Sequence, residues 1–316
     1  MTRPLLCRRA PSFLLALLAL IAGALLTSRA RAQQPQPPLD SFRLRVDVGL
    51  VLVAGSVSTP DGKPVTWLDR DAFEVYEDGV LRPIKVFEKS TALPLELVLM
   101  VDSSLSAARE LTTEKKAVAR FIRRVLRPVD AAALFEFSGE VKAVADFSDD
   151  PKSLEKSLDL IRPRAGTALY DAIIEASAKL KEREGRRVMV LVTDGNDTTS
   201  EHDFHAALRA AQEAEVSLFS LVMRPIAGES GRSVRGEHAL ITLAELTGGR
   251  VFFPAGVAEL DRFFDELSDL LRTQYLLGYQ PAPPGRRSAF RTIELRVKGG
   301  DYVVEHRKGY YTGVRP

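Results

Sequence analysis

The side chains in this 316-residue chain whose types and spacing could do chemistry are oxygen donors. Asp102-Ser103-Ser104-Leu105-Ser106 sets a carboxylate and two hydroxyls at alternate positions. Thr167 adds a hydroxyl within Gly166-Thr167, and Asp194 a second carboxylate within Thr193-Asp194-Gly195. No histidine or cysteine stands among them. Oxygen-only donor sets favour magnesium, manganese or calcium over softer metals. Few charges and several neutral hydroxyls suit magnesium, which retains part of its water shell. Taken singly, the segments have plainer readings: Asp102-Ser103-Ser104 could cap a following helix, and Asp194-Gly195 could be a turn. His202-x-x-His205 would share a helix face, but no third ligand stands at zinc-site spacing, and the pair reads as an exposed helix start.

A cation site requires that these segments meet, and the surrounding pattern predicts that they do. Leu95–Val101 and Val188–Val192 are nearly unbroken apolar runs. Such runs mark strands buried on both faces of a parallel sheet. Each ends where one of the carboxylates stands. Helical apolar spacing follows at Val118–Leu126, Leu154–Ile161, Ala168–Leu180, Phe204–Ala214, Ala239–Leu246 and Val257–Leu271. Shorter strands are expected at Ala131–Phe137, Val141–Phe147, Val216–Met223 and Arg250–Phe253, and a Gly/Ser/Arg-rich loop at Pro225–Glu237. Strands alternating with helices over residues 93–273 imply an α/β domain with a doubly wound, mostly parallel sheet. Ligands in such folds sit beyond the carboxyl ends of the strands. Asp102, Ser104, Ser106, Thr167 and Asp194 are all expected at that edge.

The flanks have a different period. Phe42, Leu44, Val46, Val48, Leu50 and Leu52 alternate with polar residues, the pattern of a half-buried strand. Phe73–Tyr76 and Ile84–Phe87, around Asp78-Gly79, read as a hairpin. Tyr275–Tyr279, Thr292–Val297 and Tyr302–Arg307 are strands in the C-terminal flank. Residues 42–90 and 274–316 each hold too few strands for an independent core. The expectation is one sandwich-like β domain built from both flanks, with the α/β domain inserted between them.

Residues 1–32 read as a secretory signal peptide: Arg3, Arg8 and Arg9, the apolar run Phe13–Leu26, then Ala30-Arg31-Ala32. Residues 33–41 form a Gln/Pro linker. Cleavage would remove five arginines and no acid, taking the formal charge from +2 to −3. That removes the compositional case for nucleic-acid binding. The single cysteine, Cys7, would leave too, which excludes disulfides and thiol chemistry in the mature chain. No integral membrane span is expected after cleavage, and the destination is the periplasm or the exterior.

Asp102-x-Ser104-x-Ser106, Thr167 and Asp194 resemble the metal-ion-dependent adhesion site of von Willebrand factor A and integrin I domains. Val65-Thr-Trp-Leu68, Asp71-x-Phe73, Glu77-Asp78-Gly79, Gly166-Thr-Ala-Leu-Tyr-Asp171 and Arg307-Lys-Gly-Tyr310 extend the likeness to a group of exported bacterial von Willebrand factor A-related proteins, over about residues 42–313. The resemblance implies that Ser104 and Ser106 bind a divalent cation directly, and Thr167 directly or through water. It implies that Asp102 and Asp194 act largely through water and hydrogen bonds, and that an acidic side chain of a partner protein completes the shell. The function so implied is non-enzymatic and metal-dependent protein binding. The alternatives are a structural scaffold of the cell envelope and a phosphohydrolase of the haloacid dehalogenase type. The last wants a second aspartate two residues after the first, where this chain has Ser104.

Overall fold

The computed structural model describes residues 49–89, 93–223, 233–283 and 290–312, all within one compact unit spanning 48–316. The signal peptide, the linker, residues 42–48 of the strand expected over Phe42–Leu52 and part of the loop expected at Pro225–Glu237 lie outside the described residues. In chain order, β1 (Val51–Ser58), β2 (Phe73–Glu77), β3 (Val80–Arg82) and β4 (Ile84–Lys89) come first. The α/β segment then runs β5 (Leu95–Asp102), α1 (Leu111–Val125), β6 (Ala131–Phe137), β7 (Val141–Ser148), α2 (Pro151–Leu158), α3 (Leu169–Lys181), β8 (Arg186–Thr193), α4 (Phe204–Glu213), β9 (Ser217–Val222), α5 (Val234–Thr247), β10 (Val251–Phe252) and α6 (Leu260–Arg272). The chain closes with β11 (Tyr275–Tyr279), β12 (Phe290–Val297), β13 (Val303–His306) and β14 (Gly309–Tyr311).

The central sheet has the order β10-β9-β8-β5-β6-β7. All its pairings are parallel except that of the edge strand β7 with β6. Every residue of β5 is buried, as its apolar run requires. One face packs against α1, α2 and α6 around Leu97, Phe121 and Phe264. The other packs against α3, α4 and α5 around Met100, Ile173 and Leu243. The chain leaves β5 toward β6 on one side and reaches β8 on the other. The crevice between the carboxyl ends of β5 and β8 is therefore the topological switch point where such sheets bind ligands.

The flanking strands build two antiparallel four-stranded sheets, β13-β1-β11-β4 and β14-β12-β2-β3. Each mixes strands from before and after the α/β segment. Val51 pairs with Tyr279 and Phe73 with Val297. Val53, Val75, Leu277, Ile293 and Leu295 share one core between the sheets.

The structure differs from sequence expectation at several local points, among them α1, which begins at Leu111 rather than Val118. The partner of β2 in the hairpin is β3, across Asp78-Gly79 with both residues at positive φ. Ile84–Lys89 instead pairs with β11 in the other sheet. Pro83 separates β3 from β4; it cannot donate to a ladder, and the chain changes sheets there. Next, α5 begins at Val234, well before Ala239, capped by Ser233, whose hydroxyl accepts from the Gly236 amide at 3.1 Å. Gly236 resembles a loop residue in sequence, yet a Cβ there would lie 1.8 Å from the Gly195 carbonyl oxygen, so close packing demands glycine inside the helix. Finally, β1 continues to Ser58 through Gly55 and Ser56, small residues that the apolar alternation does not mark.

Candidate metal centre

The two strand ends meet through hydroxyls. Asp102 is wholly buried at the end of β5. Its Oδ1 accepts from the Ser104 amide at 2.9 Å, and its Oδ2 from the Thr193 hydroxyl at 2.7 Å, at the end of β8. Ser106 Oγ donates to Asp194 Oδ2 at 2.7 Å. The Ser104 and Ser106 oxygens lie 2.9 Å apart. A hydroxyl has one proton, and that of Ser106 is directed at Asp194, so Ser104 is the donor in the serine pair. The lone pairs of Ser106 are thereby turned away from Asp194. Asp194 is itself oriented by the Asn196 amide, at 3.0 Å from its Oδ1.

Thr167 is brought to this edge by its backbone. Its amide donates to Thr198 Oγ1 at 2.9 Å, and its carbonyl accepts from the amides of Thr198 and Thr199 at 2.8 and 3.2 Å. Gly166 makes the approach possible: its φ is +82°, and a Cβ would sit 2.9 Å from the Cα of Gly139. No hydrogen bond joins the Thr167 hydroxyl to the other four residues. The 194–200 loop has a second task. Ala168, the N-cap of α3, offers no side-chain acceptor. Asp197 Oδ1 accepts from the Leu169 amide at 2.9 Å, and Ser200 Oγ from the Tyr170 amide at 3.0 Å. Both residues therefore cap α3 across the crevice, while α4 is capped by Asp203. Asp171 accepts from the amides of Glu201 and His202 and pairs with His202 Nδ1 at 2.8 Å.

The five residues differ in burial. Asp102, Ser104 and Thr167 are buried, Asp194 is half-buried and Ser106 is exposed. Burial pushes the Asp102 carboxyl up to about 6, against the hydrogen bonds from Thr193 and Ser104, and Asp194 adds to the rise. Glu114, buried in the first turn of α1, is pushed up to about 8 by burial and by the charges of Asp102, Glu110 and Asp194. Such a crevice favours a cation, because positive charge relieves all these shifts together. The donor set agrees: the oxygens of Ser104, Ser106 and Asp194 form a contiguous chain, and all are hard donors. Among the described residues no three His, Cys, Asp or Glu side chains gather as ligands. Direct coordination would thus fall mainly on the hydroxyls.

Sequence reasoning missed Thr193 and Glu114. Thr193 left no signal beyond its place next to Asp194. Glu114 left one: it interrupts the stripe Leu111, Val118, Phe121 and Val125, at a position that faces the core.

Residues 97–196 match the family described as the von Willebrand factor type A domain. The chain carries a von Willebrand factor A domain. Its match ends just past Asp194, so it takes in both carboxylates and all three hydroxyls. No curated protein matches the chain. Among solved structures, a von Willebrand factor type A protein from Catenulispora acidiphila is 12% identical, covering 84% of this chain and 74% of that one, with a TM-score of 0.50. The conserved hypothetical protein BatB from Bacteroides thetaiotaomicron is 21% identical over 57% of this chain and 100% of its own, with a TM-score of 0.46. The von Willebrand factor domain of the type V pili tip protein Mfa5 from Porphyromonas gingivalis is 13% identical over 57% and 95%, with a TM-score of 0.45. At these identities the likeness is one of fold.

Proposed function

We propose that this von Willebrand factor A domain is a non-enzymatic protein-binding module in an exported protein. In this reading a divalent cation, magnesium above all, with manganese or calcium as substitutes, sits at Asp102, Ser104, Ser106, Thr167 and Asp194. It would supply a positive charge that an acidic side chain of a partner protein can complete. The observation that carries the reading is the contact chain Ser104–Ser106–Asp194 at the switch point. Asp194 holds the Ser106 proton, so that a Ser106 lone pair can face the cation, the role of an outer-shell carboxylate. Leu105, between the two serines, is 63% exposed, an apolar side chain at the lip of the site where a partner would close over it. A phosphohydrolase reading fares worse. Both oxygens of Asp102 accept hydrogen bonds in full burial, which leaves no free face for nucleophilic attack. No helix among the described residues is long and apolar enough to cross a membrane.

The test is thermal. Binding to the folded state alone at ten times Kd adds about 1.4 kcal/mol, roughly 3–6 °C for a domain of this size. Magnesium should raise the melting temperature of the wild-type protein relative to chelator. Ser104→Ala combined with Ser106→Ala should abolish the rise and any magnesium-dependent capture of partner. Identical melting with magnesium, manganese, calcium and chelator would leave the scaffold reading in place.

A further inference from the structure

Glu114 stands on the sheet-facing side of α1 with 3% of its surface exposed. Its Oε2 is buried and has no hydrogen-bond partner. The charges that act on it, Asp102, Glu110 and Asp194, are all of its own sign. A carboxylate in that setting is disfavoured unless something positive or hydrogen-bonding reaches it. It is not a helix cap, because its position is inside the first turn rather than before it. It takes part in no ion pair among the described residues, whereas the buried carboxylates Asp130, Glu77 and Glu96 each pair with an arginine.

We propose that Glu114 is a third carboxylate of the cation centre, supplying charge and a hydrogen-bond acceptor behind Asp102 and Asp194 without being a direct ligand. This rests on the cation reading above. The hydroxyls that would touch the cation carry no charge, so attraction into the crevice depends on the carboxylates around it. Glu114 raises their number from two to three. No hydrogen bond joins it to any of the five site residues, and it is fixed on a helix, so it acts from the outer shell. Groups outside the ligand sphere tune metal affinity, typically by about ten-fold or more when one is removed.

The experiment is a calorimetric titration with Mn2+ of the wild-type protein, Glu114→Gln, Glu114→Asp and Ser106→Ala, with melting of each in chelator. Glu114→Gln keeps the volume and removes the charge. It should weaken Mn2+ binding about ten-fold or more, yet melt no lower than wild type in chelator, because burial already holds Glu114 protonated near neutrality when no cation is present. Glu114→Asp keeps the charge and should recover part of the affinity. A side chain that merely packs would give the opposite pattern: unchanged affinity and a lower melting temperature. If Glu114→Gln binds Mn2+ as wild type does while Ser106→Ala does not, or if it melts below wild type in chelator, the role of Glu114 is overturned and the cation reading survives. If wild-type protein takes up no Mn2+ at all, both fall.

Discussion

Acid should loosen the β sandwich through one histidine. His306, at the end of β13, is 3% exposed. Its Nε2 accepts from the Leu295 amide of β12 at 3.2 Å, and its Nδ1 lies 2.8 Å from the Arg307 carbonyl. That pair of contacts requires the neutral ring with its proton on Nδ1. Burial, with Lys308 adding to it, pushes the ring down to about 4. The folded value thus lies below the unfolded value of about 6.5. For a base so shifted, the stabilisation is complete above the unfolded value and is lost as pH falls through the folded one. The difference corresponds to about 3 kcal/mol in full, and to about 2 kcal/mol lost between neutrality and roughly pH 5. Asp102 and Glu114 work in the other direction. Their raised values give stability present in acid and lost as pH rises toward about 6 and about 8. Wild-type stability alone would therefore mix the two effects. The clean quantity is the difference between wild type and His306→Gln, from urea unfolding followed by circular dichroism in chelator, near neutrality and near pH 5. That difference should shrink by about 2 kcal/mol in acid. A difference that does not change with pH would refute the assignment of a neutral, acceptor His306.

Glu77 should be the costliest single polar residue of the sandwich. Fully buried, it accepts from the Tyr310 hydroxyl at 2.7 Å, the Ala282 amide at 2.8 Å and Arg82 at 2.9 Å. Glu77→Ala strands these donors and should lower stability by about 3–5 kcal/mol in urea unfolding; a loss under about 1 kcal/mol would show that the network is dispensable. Deleting residues 33–90 removes both strand neighbours of β11. Limited proteolysis should then cut rapidly within residues 275–312, and survival of that segment as a resistant fragment would show that the C-terminal strands stand alone.

The α/β architecture was legible because β5 and β8 are apolar on both faces, and periodicity reports such burial directly. The strand pairing of the flanks was less so. Nothing in the apolar alternation of Ile84–Lys89 says which sheet it joins; Pro83 and the distant Tyr275–Tyr279 decide that. At the site, Asp102, Ser104, Ser106 and Asp194 come together as their strand-end positions implied, while the Thr167 hydroxyl stays outside their hydrogen-bond chain. The depth of the site was hidden. Burial of Asp102 and the approach of Glu114 depend on how α1 leans on the sheet, and spacing along the chain carries no record of a helix's tilt. The start of α5 was hidden for a related reason: Gly236 is set by contact with Gly195, far away in sequence.

The interleaving of the two β sheets has a consequence in time. Lys89 pairs with Tyr275, so the first and last thirds of the chain must find one another across the whole α/β segment. Closing a flexible loop of roughly 180 residues would cost about 4–5 kcal/mol in chain entropy by the (3/2)RT ln n rule. A folded α/β domain removes most of that cost by holding its own two ends at fixed positions. The expected order of assembly is therefore insert first, sandwich last. During synthesis the N-terminal strands must wait, unpaired, until the final forty or so residues emerge. Over that interval β1 and β2 present open edges, and whatever shields them from other chains governs the yield of folded protein.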